Sequence, residues 1–151
     1  MEPAAGVDRS SQLDEIAEAL PQRTAALSRL FLTRTSVCVS RTEVGVLRKL
    51  NDDGPRRITE LAADERVTQP AITLLVNRLA ERGWVERVPD PSDGRAVLVS
   101  LTPVGEGVFE QLRAEYRALL HEEMAMLDDS EVAALAAAVD ILDKLIERLS
   151  R

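Results

Sequence analysis

Residues 57–105 decide the fold; they read RITELAADERVTQPAITLLVNRLAERGWVERVPDPSDGRAVLVSLTPVG. Apolar residues recur at helical spacing as far as Leu79, and from Trp84 onward the pattern changes to that of β-strands. Pro, Asp and Gly cluster at residues 89–94, which predicts a loop between two strands. This stretch is therefore expected to form two helices joined by a turn, followed by a hairpin.

Polar residues mark where the two helices start. Thr59 is the predicted N-cap of the first, with Glu60 in its positive first turn. Thr68 is the predicted N-cap of the second, and Pro70 falls in its first turn, where a missing N–H costs little. Gly83 is the predicted left-handed terminator. The second helix has a predicted buried stripe made of Ile72, Leu75, Val76 and Leu79.

Two helices and a hairpin in this order predict a winged helix-turn-helix, which lays its second helix in a DNA groove. The candidate contacts on that helix are Thr68, Gln69, Pro70, Ala71, Thr73, Asn77 and Arg78. Gln69 can read adenine, and Pro70 and Ala71 can pack on a thymine methyl. Asn77 and Arg78 are expected to reach phosphates. The alternative is an ordinary solvated helix face, although its apolar residues favour the DNA interpretation.

The hairpin carries Asp93 and Arg95 near its tip. An arginine on a projecting loop can enter a narrow minor groove, where the negative potential is enhanced. We expect Asp93 to hold the Arg95 guanidinium through a charge-assisted pair. The alternative is a local salt bridge that only stabilises the turn, worth about 0–1 kcal/mol.

The flanking sequence is predicted to be helical. Residues 1–10 are expected to form a disordered tail, and residues 11–151 a single domain with its winged helix-turn-helix at about 40–101. Pro21 should kink or divide the first helix, which ends near residue 37. Ser40 and Glu43 have capping-box spacing. A helix begins at Thr102-Pro103, another spans about 130–149, and the fold class is mainly α with a small β-hairpin wing.

The last helix has a heptad pattern, in which Val132, Val139 and Ile146 alternate with Leu135, Leu142 and Leu149. This seam predicts a homodimer interface. Packing against the first or fifth helix of the same chain is the alternative.

Charge is unevenly distributed along the 151 residues, whose formal net charge is −7. The acidity lies in residues 96–151, whereas residues 56–95 hold seven arginines, no lysine and equal numbers of acids. DNA binding needs a local basic face rather than a basic protein, although these arginines could also be ordinary solvated charges. No membrane span or secretory signal is visible, and one cysteine favours a cytoplasmic location.

Other chemistry finds little support. Cys38 lies between two valines and is expected to be a small buried hydrophobe rather than a redox site. His121 lies alone among glutamates, so a solvated position is expected rather than a metal site. No nucleophile–base pair or phosphate loop is visible, so neither a cofactor nor an enzyme activity is expected. A dimeric scaffold that uses a winged helix only for protein contacts is the alternative, supported by the isoelectric point of 4.8.

The chain resembles the MarR family of bacterial winged-helix regulators in five segments: TELA at 59–62, VTQPAIT at 67–73, LAERGWVER at 79–87, PSDGRA at 91–96 and LTPVG at 101–105. The resemblance implies a homodimer that binds a double-stranded, pseudo-palindromic operator and usually represses genes. It places the first helix in the dimer interface, with Leu13, Ile16 and Leu20 as candidate contacts. It implies a recognition helix near 68–82 and a wing near 85–101. It also implies release by a small phenolic or lipophilic effector, with Leu30, Arg34, Leu50 and Tyr116 as candidate contacts. For most of these residues an ordinary core position is the alternative. Leu74 departs from the family, which often has a polar or basic residue there.

Overall fold

A computed structural model describes residues 8–150. The helices are α1 (Arg9–Arg34), α2 (Arg41–Asp53), α3 (Ile58–Asp64), α4 (Gln69–Glu81), α5 (Pro103–Met124) and α6 (Asp129–Leu149). The strands are β1 (Arg56–Arg57), β2 (Val85–Asp90) and β3 (Asp93–Leu101). The predicted class, mainly α with a small β wing, is confirmed. The described residues include no helix with the length and apolar character needed to cross a membrane.

The chain forms two compact units, the first ending at Leu112 and the second beginning at Arg113. The first contains α1 to α4, the sheet and the start of α5; the second contains the rest of α5 and α6. Helix α1 already includes Arg9 and Ser10, which the sequence assigned to a tail, while residues 1–7 of that tail lie outside the described residues. Pro21 does not divide α1, which continues through it to Arg34.

Helix α2 begins at the capping box expected from the sequence. The Glu43 N–H donates to Ser40 Oγ (3.2 Å), and the Ser40 N–H donates to Glu43 Oε2 (2.7 Å). Two N–H groups that the first turn leaves unpaired are thereby satisfied. At its other end Gly54 has a φ of +78°, a left-handed value that favours glycine.

The sheet has three strands, in the order β1-β3-β2 and antiparallel throughout. Sequence reasoning missed β1, because two residues are too few to show alternation. Arg57 pairs with Leu98 of β3 and leads directly into α3. The helix therefore starts at Ile58, one residue before the predicted cap Thr59. The Arg57 N–H, rather than that of Thr59, donates to the Glu60 carboxylate (3.0 Å).

The core of the first unit lies between α2, α3, α4, the sheet and the start of α5. All four residues of the stripe predicted for α4 are buried in it. The buried apolar residues are Val46, Leu47, Leu50, Leu61, Ala62, Ile72, Leu75, Val76, Leu79, Val85, Val99 and Phe109. This core fixes α4 by its inner face and leaves its outer face free.

A close approach between α5 and the residue before β2 anchors the wing. A Cβ placed on Gly105 would lie 1.9 Å from the Trp84 carbonyl oxygen, so only glycine fits without a shift. The same carbonyl accepts the Thr102 N–H (3.1 Å), and Thr102 Oγ1 accepts the Gly105 N–H (3.1 Å). The Leu-Thr-x-x-Gly motif is therefore a helix start packed against the foot of the wing.

Candidate nucleic-acid interface

Helix α4 presents its first two turns to solvent. Thr68 caps it by accepting the Ala71 N–H at Oγ1 (3.4 Å), as predicted. Gln69, Pro70 and Ala71 are exposed and Thr73 is half-buried. The Thr73 hydroxyl donates to the Gln69 carbonyl (2.8 Å), so this donor is already used within the helix. Base-edge contacts from this surface would come chiefly from the Gln69 amide and from apolar groups.

Further along α4, the two predicted phosphate contacts differ in their surroundings. Asn77 is half-buried and its Oδ1 accepts from Arg87 Nη2 of β2 (2.7 Å). Arg78 is exposed and lines an open depression of about 310 Å³. The Asn77–Arg87 bond ties α4 to the wing strand and places another guanidinium beside this helix, which the sequence analysis did not anticipate.

At the wing tip the sequence expectation needs a correction. Asp93 Oδ1 accepts the main-chain N–H of Arg95 (3.2 Å), not its guanidinium. Within the described part of the chain, the Arg95 guanidinium has no hydrogen-bond or ion-pair partner. The β2–β3 register shifts between Pro89 and Asp90, so that residues 94–96 of β3 lie at the irregularity. Arg95 therefore projects from a distorted strand with its charge uncompensated.

The carboxylate that does hold an arginine is Asp90. Arg57 donates to its Oδ2 from both Nε (3.2 Å) and Nη2 (2.6 Å). Its Oδ1 accepts the N–H (2.8 Å) and the hydroxyl (2.6 Å) of Ser92. The Ser92 bonds and the Arg57 guanidinium lower the pKa of the Asp90 carboxyl to about 2. We call Arg57, Asp90 and Ser92 the wing clamp.

Sequence reasoning missed the wing clamp, although the sequence contains a local pattern for one of its two contacts, that between Asp90 and Ser92. Asp-Pro-Ser at 90–92 is a pattern in which the Asp side chain accepts the N–H two residues on. The Arg57 partner is 33 residues away in sequence, and no local pattern identifies it. The clamp fixes the turn of the wing to the residue that begins α3.

The remaining first-unit candidates fall into exposed and buried groups. Leu13 and Ile16 are exposed on α1 and Leu20 is half-buried. Leu30 and Arg34 are also exposed, whereas Leu50, proposed with them as an effector contact, belongs to the packed core.

In the second unit, α6 has no buried residue. Leu142 is half-buried, and the other five residues of its seam are exposed: Val132, Leu135, Val139, Ile146 and Leu149. Tyr116 is half-buried on α5, and burial raises the pKa of its hydroxyl. His121 is exposed, as expected for a solvated helix position.

Cys38 does not have the environment that the sequence predicted. It is exposed rather than buried, because it lies in the link between α1 and α2. Its carbonyl accepts from Arg82 Nη1 (3.2 Å), and the same guanidinium lies 4.9 Å from the centre of the Trp84 ring. Among residues 8–150, no group of three or more His, Cys, Asp or Glu side chains could hold a metal ion.

Comparison with known sequences gives consistent results. The model of the MarR family matches residues 39–97. An HTH-type transcriptional regulator of Mycobacterium bovis is 35% identical over 109 residues, which are 72% of this chain and 76% of that protein. The multiple antibiotic resistance protein MarR of Salmonella typhimurium is 37% identical over 98 residues, covering 64% of this chain and 68% of that protein.

Solved structures resemble the whole fold. A MarR family protein from Bacillus stearothermophilus has a TM-score of 0.76 at 22% identity, with 95% of this chain and 99% of that chain covered. Wild-type MarR from E. coli in its apo form has a TM-score of 0.67 at 29% identity, with coverage of 86% and 96%.

Proposed function

Since the chain belongs to the MarR family of DNA-binding transcriptional regulators, we propose that it recognises a pseudo-palindromic operator as a homodimer and represses transcription. The observations that carry this proposal are the exposed side chains on the outer face of α4 and the exposed Arg95 of the wing, whose guanidinium has no hydrogen-bond or ion-pair partner among the described residues. The family and its named relatives indicate a regulator rather than an enzyme.

The chemistry of α4 and of the wing indicates which part of the DNA each would contact. Gln69 can make a bidentate contact with adenine in the major groove, which accommodates a helix. Arg95 can lie in the adjacent minor groove or on a phosphate. A chain with a net charge of −7 still binds DNA when its arginines face the duplex and its acidic residues lie elsewhere.

Exposure of the α6 seam supports the homodimer. Five of its six apolar residues are exposed, so packing on α5 within the same unit does not remove them from water. A helix that packs on a second copy through a heptad seam exposes that seam when one subunit is considered alone. Two copies would present two reading helices, for half-sites about one helical turn (about 34 Å) apart.

Electrophoretic mobility shift with the full chain and its own promoter tests the proposal. A specific complex should form and weaken steeply as salt rises, because phosphate contacts release counterions. A promoter–reporter fusion should show lower expression when the chain is present, and higher expression would make it an activator. Absence of any complex that survives excess random DNA would contradict operator binding and leave a protein-binding scaffold.

We further propose that a small phenolic or lipophilic effector lowers operator affinity. The support is the family and the exposed Arg34 on α1, one turn from the exposed Leu30. An effector acts only through its different affinity for the DNA-bound and free conformations. Salicylate should weaken the mobility-shift complex of the wild type and not that of Arg34→Ala; equal effects on both would remove Arg34 from the proposal.

A further inference from the structure

Leu74 is a large apolar side chain on the outer face of α4, and it is 65% exposed. It is part of a continuous surface, since Gln69, Pro70, Thr73 and Leu74 together line an open depression there. Single exposed leucines are common and need no explanation. An apolar surface on the first two turns of a reading helix does need an explanation, because these turns face the base edges of the DNA.

The polar groups of this surface are few. The Thr73 hydroxyl donates to the Gln69 carbonyl, which leaves the Gln69 amide as the main donor. A base edge placed against Leu74 would therefore meet hydrocarbon. In the major groove only thymine presents hydrocarbon, as its C5 methyl group, whereas the other bases present hydrogen-bonding groups.

We propose that Leu74 is a specificity-determining residue that packs on a thymine methyl group in each half-site. This inference rests on the proposed operator binding. Leu74 lies four residues after Pro70, which is about 6 Å along the helix and roughly two base-pair steps. It therefore reads a different base pair from the first turn, at a position where a polar residue would favour another base.

The test begins with the purified full chain and a pool of random duplex DNA. After selection of a tight-binding duplex, each thymine is replaced in turn by uracil, which removes the C5 methyl and keeps the base-pairing groups. Burial of one methyl group corresponds to about fourfold in affinity. Replacing the contacted thymine by uracil in a single half-site should thus weaken wild-type binding about fourfold. Replacing it in both half-sites should weaken binding on the order of tenfold.

Leu74→Ala shows whether that methyl acts through Leu74. The variant should bind the unmodified duplex more weakly and lose its sensitivity to uracil at that thymine, because the two partners are coupled. Val104→Ala is the matched control: Val104 is an exposed apolar residue (58%) on the first turn of α5, outside the reading helix. It should retain wild-type affinity and the full uracil effect.

Two results would overturn the inference, and only the second would also contradict the proposed operator binding. If a specific duplex is selected but every uracil substitution affects wild type and Leu74→Ala equally, operator binding stands and Leu74 contacts the backbone or another partner. If no duplex is selected above random DNA, the proposed function fails and this inference fails with it.

Discussion

Arg57 is a single residue that is bonded in three directions. Its main chain pairs with Leu98 in β3, its N–H donates to Glu60 in α3, and its guanidinium holds Asp90 at the wing turn. Charge-assisted bidentate pairs fix orientation as well as proximity. One side chain thus joins the first helix of the helix-turn-helix to the wing.

The wing clamp predicts how stability depends on pH. The Asp90 carboxyl titrates at about 2 in the folded chain, against an ordinary value of 3.8. Its stabilisation is therefore full above pH 4 and is lost as the pH falls through 2. Urea unfolding of wild type and Asp90→Asn between pH 2 and 6 should show a wild-type advantage that shrinks below pH 4. An advantage constant across this range would contradict the wing clamp.

Arg95 predicts the opposite kind of result, an effect on binding without one on folding. Arg95→Ala removes an unpaired guanidinium, so the melting temperature should not change. Operator affinity should fall, and the slope of log affinity against log salt should decrease by about 1 if the contact is to a phosphate. Mobility shift over a salt series measures this. Arg23→Ala, an exposed arginine on α1, is the control and should leave the slope unaltered.

At the scale of helices and strands, the two threonine caps show how far the sequence could be read. Thr68 is the cap of α4, as its spacing predicted, because the helix start depends only on neighbouring residues. Thr59 has equally favourable chemistry, yet α3 starts before it because Arg57 is paired with β3. Thr68→Ala should cost about 1 kcal/mol of unfolding free energy and Thr59→Ala much less. Equal losses in urea unfolding would contradict this assignment.

The same distinction separates the predicted and missed parts of the site. Helical periodicity and capping predicted the outer face of α4, and the capping box of α2, from residues fewer than eight apart. The Arg57–Asp90 pair, the Asn77–Arg87 bond and strand β1 depend on tertiary approach and carry no local signature. The predicted Asp93–Arg95 side-chain pair was wrong: Asp93 Oδ1 accepts the main-chain N–H of Arg95, and Asp93 Oδ2 lies 4.0 Å from Nη2 of Arg57, a residue distant in sequence.

Two glycines in α5 allow a controlled test of how tightly that helix packs against the foot of the wing. Gly105→Ala would push a methyl group into the Trp84 carbonyl and should destabilise the chain by about 1–3 kcal/mol. Gly107→Ala, two residues later, meets nothing within 4 Å and should stabilise it by about 0.5–1 kcal/mol. Thermal unfolding measures both. Similar changes for the two would show that Gly105 is not tightly packed.

For the molecule as a whole, the seam of α6 predicts the assembly. Val139→Asp places a charge at the middle of the seam and should convert the proposed dimer to a monomer, which sedimentation velocity detects. Ala137→Asp adds the same charge to α6 outside the a and d positions and should leave the dimer unchanged. The first variant should also lose operator binding, because one reading helix covers only half a site. A dimeric Val139→Asp would place the interface elsewhere.

The three bonds of Arg57 link the hairpin to α3 and oppose movement of the hairpin alone. A hairpin attached by a flexible hinge could change its orientation to fit many duplexes. Here a change in the orientation of the hairpin would also move α3. In the proposed operator complex, α3 and the hairpin of each protomer would therefore approach the duplex together. Under that proposal, adaptation to different operators would come from movement between the protomers or from deformation of the duplex.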